Sequence, residues 1–210
     1  MQDDKQDGSG PRVAPLLPPD WDAAAYDAMS VLPHGRDNII AASKAGQPLL
    51  GSNGVCMQLR HPALTKAFLT FNAHHFYATT LSARVREILI MRIGWLTRAE
   101  VEYLAHVAIG KRHGITDAEI ARIQRGPDAP GWDPLDADLL RAVDELHRES
   151  GISAGTYRRL SAHLDEKQLM DLVFLVGCYA CLAWFMNSFG VQIEAGIEPL
   201  DAATRARMGK

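Results

Sequence analysis

The 210 residues include only three cysteines, Cys56, Cys178 and Cys181. That is too few for a disulfide framework, and such usage predicts a reducing, cytoplasmic setting. Lys and Arg number 22 against 25 Asp and Glu, a formal net charge of −3. A phosphate-backbone binder needs a basic surplus, so no nucleic-acid partner is expected. The opening MQDDKQDGSG lacks the basic start and apolar centre of a secretory signal. The longest apolar stretch, residues 169–185, is interrupted by Asp171. It falls short of the ~20 residues that span a bilayer and predicts a buried helix, not a membrane contact. There is no Gly-rich phosphate loop, no H-E-x-x-H and no second C-x-x-C. Neither a nucleotide cradle nor a four-thiolate zinc site is available, and no cofactor or metal is expected. Gly51-Ser52-Asn53-Gly54 predicts only a turn.

What is present is an ordinary globular composition, 47% apolar and 22% charged, with enough chain for a sizeable core. Pro11, Pro15, Pro18 and Pro19, with Gly8 and Gly10, mark residues 1–19 as a flexible arm. Residues 63–126 and 135–198 contain no proline, which suits helices, because an interior proline costs about 3 kcal/mol. Apolar residues recur at helical spacing at Leu64, Phe68 and Phe71, and again at Leu81, Val85, Ile88, Leu89 and Leu96. Further helices are expected over about 98–113, from Thr116-Asp117-Ala118-Glu119 with its capping-box form, over 136–150, over 153–164, and from Asp165 to Gly190. Strand-like alternation is scarce. The expectation is an all-α fold of about seven or eight helices, one domain over 20–198, and a tail over 199–210.

Five polar positions stand out on those helices. Glu102 and His106 are four apart, so their side chains meet on one face. A carboxylate beside an imidazole fixes a tautomer and suits proton transfer near neutral pH, although a plain surface pair has the same spacing. Arg92 falls in the middle of an apolar stripe. It pairs with a buried carboxylate or lines a cavity for an anion. His75 shares the buried face of Leu64, Phe68 and Phe71, and His74 lies toward its edge. His74, His75, Glu102 and His106 as a metal set is the minor alternative. Cys178 and Cys181 form a C-x-x-C well inside an apolar helix, which favours packing over redox work.

The run Leu81-Ser82-Ala83-Arg84-Val85-Arg86-Glu87-Ile88-Leu89-Ile90-Met91-Arg92 resembles the L-x-x-R-x-R-E-x-x-I-L-R run of carboxymuconolactone decarboxylase-like proteins. Val101-Glu102-Tyr103-Leu104-Ala105-His106 resembles that family's Y-E-W-x-x-H element. It keeps the glutamate and histidine and replaces the aromatic pair with Val101 and Tyr103. His61-Pro62-Ala63-Leu64 and Gly114-Ile115-Thr116-Asp117-Ala118-Glu119-Ile120 add to the likeness.

The resemblance implies an alkylhydroperoxidase-D-like helical fold and a homo-oligomer, trimer or hexamer. It also implies a cofactor-independent acid–base enzyme, a carboxy-lyase of the kind that serves aromatic compound degradation. Its substrate would be a small carbonyl or lactone carboxylate. His106 would carry the proton and Glu102 would orient it, with His75, Arg92, His74 and Tyr103 near the substrate. The family's peroxidase members carry a C-x-x-C followed three residues later by a histidine on this helix. Ala99 and Tyr103 stand near those thiol positions and the helix holds no cysteine, so that route is not implied. A thiol redox protein using Cys178 and Cys181, and a non-catalytic ligand-binding oligomer, are the alternatives.

Overall fold

Small polar residues ahead of apolar runs set many of the helix starts in the computed structural model, which describes residues 10–209. Eleven α-helices and no strand occur among the described residues. They are α1 (Ala23–Ala28), α2 (Pro33–Ala45), α3 (Ser52–Gln58), α4 (Pro62–Tyr77), α5 (Ala83–Leu96), α6 (Glu100–Arg112), α7 (Asp117–Arg125), α8 (Pro134–Glu149), α9 (Ala154–Leu160), α10 (Glu166–Phe189) and α11 (Ala202–Met208). The all-α expectation holds, with more helices than foreseen. The extra ones are short or weakly patterned: α1 has 6 residues, α3 and α11 have 7 each, and α2 buries only Ile39. Two turns or fewer give too few positions for a 3.6-residue period to register.

The caps explain the boundaries. Ser82, Ser153 and Asp201 each accept a hydrogen bond from the backbone N–H three residues on. Thr116 and Glu119 form the foreseen capping box at α7. Helix α8 starts at Pro134 behind an Asp133 cap, slightly ahead of the expected 136. Gly51, at φ 89°, takes a left-handed conformation that suits glycine and leads straight into α3. The stretch read as only a turn is therefore a helix entrance.

The chain divides into two compact units. The first comprises the described chain up to Phe71 together with Phe185–Glu198. Trp21, Ala25, Ala28, Met29, Ile39, Cys56, Leu59 and Leu69 form its buried cluster. Arg12 N–H donates to the Phe189 carbonyl (2.9 Å) and Leu16 N–H to the Cys56 carbonyl (2.8 Å). These tether part of the stretch expected to be a flexible arm; residues 1–9 lie outside the described residues.

The second unit comprises Asn72–Trp184 and the described chain from Pro199. Its buried cluster joins Ile88, Met91, Trp95, Tyr103, Ile115, Ile120, Ile123, Leu140 and Met208. Helix α5 packs on α6, α7 and α8, and every residue from Glu87 to Trp95 is buried. The stretch expected to be a tail carries α11, whose Met208 belongs to this core. Within the second unit α10 buries Leu172, Leu175, Val176, Tyr179 and Ala183 and exposes Met170, Val173, Phe174 and Trp184. At 24 residues it is longer than its apolar stretch, and by length and composition it could span a membrane. Asp171 in its first turns instead accepts hydrogen bonds from Thr80 N–H (2.6 Å) and from the Thr79 and Thr80 hydroxyls (3.0 and 2.8 Å).

Candidate functional site

The site is built where α6 approaches α5 in the second unit. A three-residue link, 97–99, reverses the chain, with Arg98 at φ 60°. Gly94 permits the close approach. A Cβ there would lie 3.3 Å from Glu102 Oε1 and 3.5 Å from the Tyr103 backbone nitrogen. The first turn of α6 is also held from outside. Glu100 accepts hydrogen bonds from Leu200 N–H (3.0 Å) and from Arg205 Nη2 and Nε (2.8 and 3.1 Å), so α11 fixes the start of the helix that carries Glu102 and His106.

His106 is 7% exposed and Glu87 is fully buried. His106 Nδ1 lies 2.7 Å from Glu87 Oε2, and the imidazole stands edge-on to the Tyr179 ring at 5.0 Å. The expected partner was Glu102, one turn back on the same helix. The structure gives that part to Glu87, because the close α5–α6 approach turns Nδ1 across the helix interface. With Nδ1 donating to Glu87, Nε2 is the nitrogen that can exchange a proton with a ligand.

Glu102 is 2% exposed, and neither of its oxygens has a hydrogen-bond partner among the described residues. Burial holds its carboxyl well above the ordinary glutamate range, because the charged form loses its water and gains no compensating donor. Glu102 is thus a buried acid biased toward its neutral form.

Tyr179 and Asn72 complete the buried polar group. Burial raises the Tyr179 hydroxyl far above its usual range, with Glu87, Glu102 and Cys178 adding to the rise. Asn72 Nδ2 donates to Cys178 Sγ at 3.4 Å. Burial pushes the Cys178 thiol up to about 11, whereas Cys181 is exposed. Only a thiolate attacks efficiently, so this C-x-x-C has a packing sulfur at its first position.

The remaining expected residues go elsewhere. Arg92 is a structural ion pair. Its Nε and Nη2 donate to Asp144 at 2.7 and 2.8 Å, and its Nη1 donates to the Ile123 and Gln124 carbonyls at 2.8 and 3.0 Å. A guanidinium so engaged is not turned toward a ligand. Tyr103 packs against Trp95 in the core, and its hydroxyl accepts from Gln124 Nε2 at 2.9 Å. His74 Nε2 pairs with Asp171 Oδ1 at 2.7 Å, binding α4 to α10. Burial works against Asp171 ionising, yet its hydrogen bonds with Thr80, His74 and Thr79 hold it at about 2. His75 is fully buried. Burial first, then His74 and Arg86, lowers it to about 4 against the pull of Asp171. No group of three or more His, Cys, Asp or Glu side chains suited to a metal occurs among the described residues.

Two neighbours of the histidine were not singled out from sequence. Glu87 was hidden because helical spacing places it off the stripe Leu81, Val85, Ile88 and Leu96. The signal was its place in the R-E step of the family-like run. Arg86 lies against the pair, its Nε 3.4 Å from Glu87 Oε1 and its Nη1 donating to the His75 carbonyl at 3.2 Å.

Residues 62–145, from the first residue of α4 into α8, match the model of the carboxymuconolactone decarboxylase family. No curated protein matches the chain. Among solved structures, the debrominase Bmp8 without ligand is similar with a TM-score of 0.67, at 13% identity, over 94% of this chain and 96% of that one. A variant of Bmp8 in complex with 2,3,4-tribromopyrrole gives a TM-score of 0.66, at 15% identity, over 94% and 95%. An uncharacterised peroxidase-related protein of Ralstonia eutropha JMP134, described as an alkylhydroperoxidase AhpD core, gives 0.63, at 14% identity, over 80% of this chain and 89% of that one. The chain thus has an alkylhydroperoxidase-D-like helical fold, and its residues 62–145 are similar to the carboxymuconolactone decarboxylase family.

Proposed function

We propose that the protein is a cofactor-independent acid–base enzyme acting on a small carbonyl or lactone carboxylate, with decarboxylation as the leading reaction. The observation that carries this reading is the pairing of a buried Glu87–His106 couple with a buried, unpartnered Glu102. An unpaired buried carboxyl costs stability, about 1–3 kcal/mol for an unmet polar group. Such costs concentrate at sites that use them.

In the proposed step the bond between the carboxylate and the adjacent carbon breaks, and carbon dioxide leaves. The electron pair moves into the neighbouring carbonyl as an enolate. A proton then returns to carbon. Glu102, kept neutral by burial, is suited to give that proton, and Nε2 of His106 to accept and return one. Glu87 is a positioning residue that sets the imidazole. Arg86 is the cation beside the pair and takes the anion-facing part first expected of Arg92. The exposed apolar face of α10, with Met170, Val173, Phe174 and Trp184, supports a homo-oligomer, trimeric or hexameric as in the family. Three unpaired cysteines support a reducing cytoplasm.

The thiol-dependent alternative draws on Bmp8 and the peroxidase-related neighbour, but the raised Cys178 thiol speaks against it. The test is turnover of a carboxymuconolactone-type substrate, followed as carbon dioxide release. His106→Ala is expected to lower kcat by about 10²–10⁴-fold, and Glu102→Gln to lower it while leaving KM within a few-fold. Glu87→Gln should shift the pH profile. Turnover that survives all three substitutions unchanged would remove this site from the chemistry.

A further inference from the structure

A cavity lies wholly within the first unit, and none of Glu87, Glu102 and His106 lines it. Its volume is about 390 Å³, within the range of small-ligand pockets. Leu17, Ile39, Ala42 and Leu49 give it apolar walls, and Cys56 and Glu194 also line it. Glu194 is 6% exposed. Its Oε1 accepts from Asn53 N–H (2.7 Å) and the Ser52 hydroxyl (3.3 Å), and its Oε2 accepts from Gly51 N–H (3.2 Å).

These three donors pin the entrance of α3, and that is a sufficient structural use for them. They leave two things unaccounted for. A carboxylate offers about four lone-pair sites, so one on Oε2 remains. All three donors are neutral, and no cation pairs with Glu194 among the described residues. A buried carboxylate normally has a countercharge, because desolvating it alone is costly. Cys56 does not supply one. Burial, and then Glu194 itself, raise its thiol to about 11, which leaves a protonated sulfur that packs as an apolar wall.

We propose that this cavity binds a small primary amine, with its ammonium on Glu194 Oε2 and its apolar body against Leu17, Ile39 and Leu49. An ammonium brings both the missing charge and a donor for the remaining lone pair. A hydroxyl brings only the donor, and a carboxylate is repelled.

Titration of the full chain with benzylamine tests this, using amide NMR and calorimetry at pH 7, with benzyl alcohol and benzoate as shape-matched controls. The expected result is saturable benzylamine binding that shifts the Gly51 and Asn53 amides. Benzyl alcohol should bind at least about tenfold more weakly, and benzoate not at all. Glu194→Gln keeps an acceptor for Asn53 and should weaken benzylamine by about tenfold or more. Ala42→Leu leaves the carboxylate in place, fills the cavity and should abolish binding. The proposal is overturned if neither benzylamine nor cyclohexylamine binds. Equal binding of the alcohol and the amine, shifts confined to the second unit, or binding insensitive to Ala42→Leu would overturn it as well.

Discussion

Two buried networks of charged and polar groups hang from α5 five residues apart, and they differ in completeness. At Arg92 the guanidinium meets both Asp144 oxygens and two carbonyls. At Glu87 the network takes in His106 and Arg86 but leaves both oxygens of Glu102 unpartnered. Burial is alike in the two places, so burial alone does not mark a site. Satisfaction does. A complete network fixes α5 against α8 and the end of α7, while an incomplete one keeps protons and lone pairs available for a ligand.

The largest effect is expected at the complete network. Arg92→Leu leaves Asp144 buried without its cation and is expected to destabilise the fold by about 3–5 kcal/mol. Urea denaturation measures this. Substrate affinity of the folded fraction should stay unchanged, and a stable variant with weakened affinity would return Arg92 to the site.

A somewhat smaller effect is expected at His75. Its proton affinity is lowered from the ordinary 6.5 to about 4. Its neutral form therefore contributes stability that is fully present above pH 6.5. That stability is lost as pH falls through about 4, for a total of about 3 kcal/mol. The groups acting on it are His74, Asp171 and Arg86, and Asp171 titrates lower, at about 2. Stability of His75→Gln, compared with the unaltered protein from pH 7 to pH 4, should fall less steeply. Equal slopes would place the acid sensitivity on other groups.

Much of the fold was legible because its signals are local. Caps such as Ser82 and the Thr116–Glu119 box lie within one turn of what they cap, and the long helices carry their period in full view. The site was half legible. Glu102 and His106 are neighbours by helix geometry alone. Whether they pair depends on what α5 presents to α6, and that depends on Gly94 allowing the approach. The partners of Arg92 and Glu87 are remote in the chain, Asp144 by 52 residues and His106 by 19, and spacing along one helix cannot show them. Glu87 was further obscured because α5 is buried all round, which erases the polar face that would have set a lone charge apart.

The proposed chemistry rests on Glu102 being a buried acid held in its neutral form beside the Glu87–His106 pair. Carboxyl carbon-13 NMR of glutamate-labelled protein measures it directly, with Glu102→Gln identifying the resonance. The expected result is a Glu102 midpoint well above the ordinary 4.5, with fold stability declining as pH rises from 4.5 toward that midpoint and declining less in Glu102→Gln. A Glu102 resonance that titrates near 4.5, like an exposed glutamate, would contradict it.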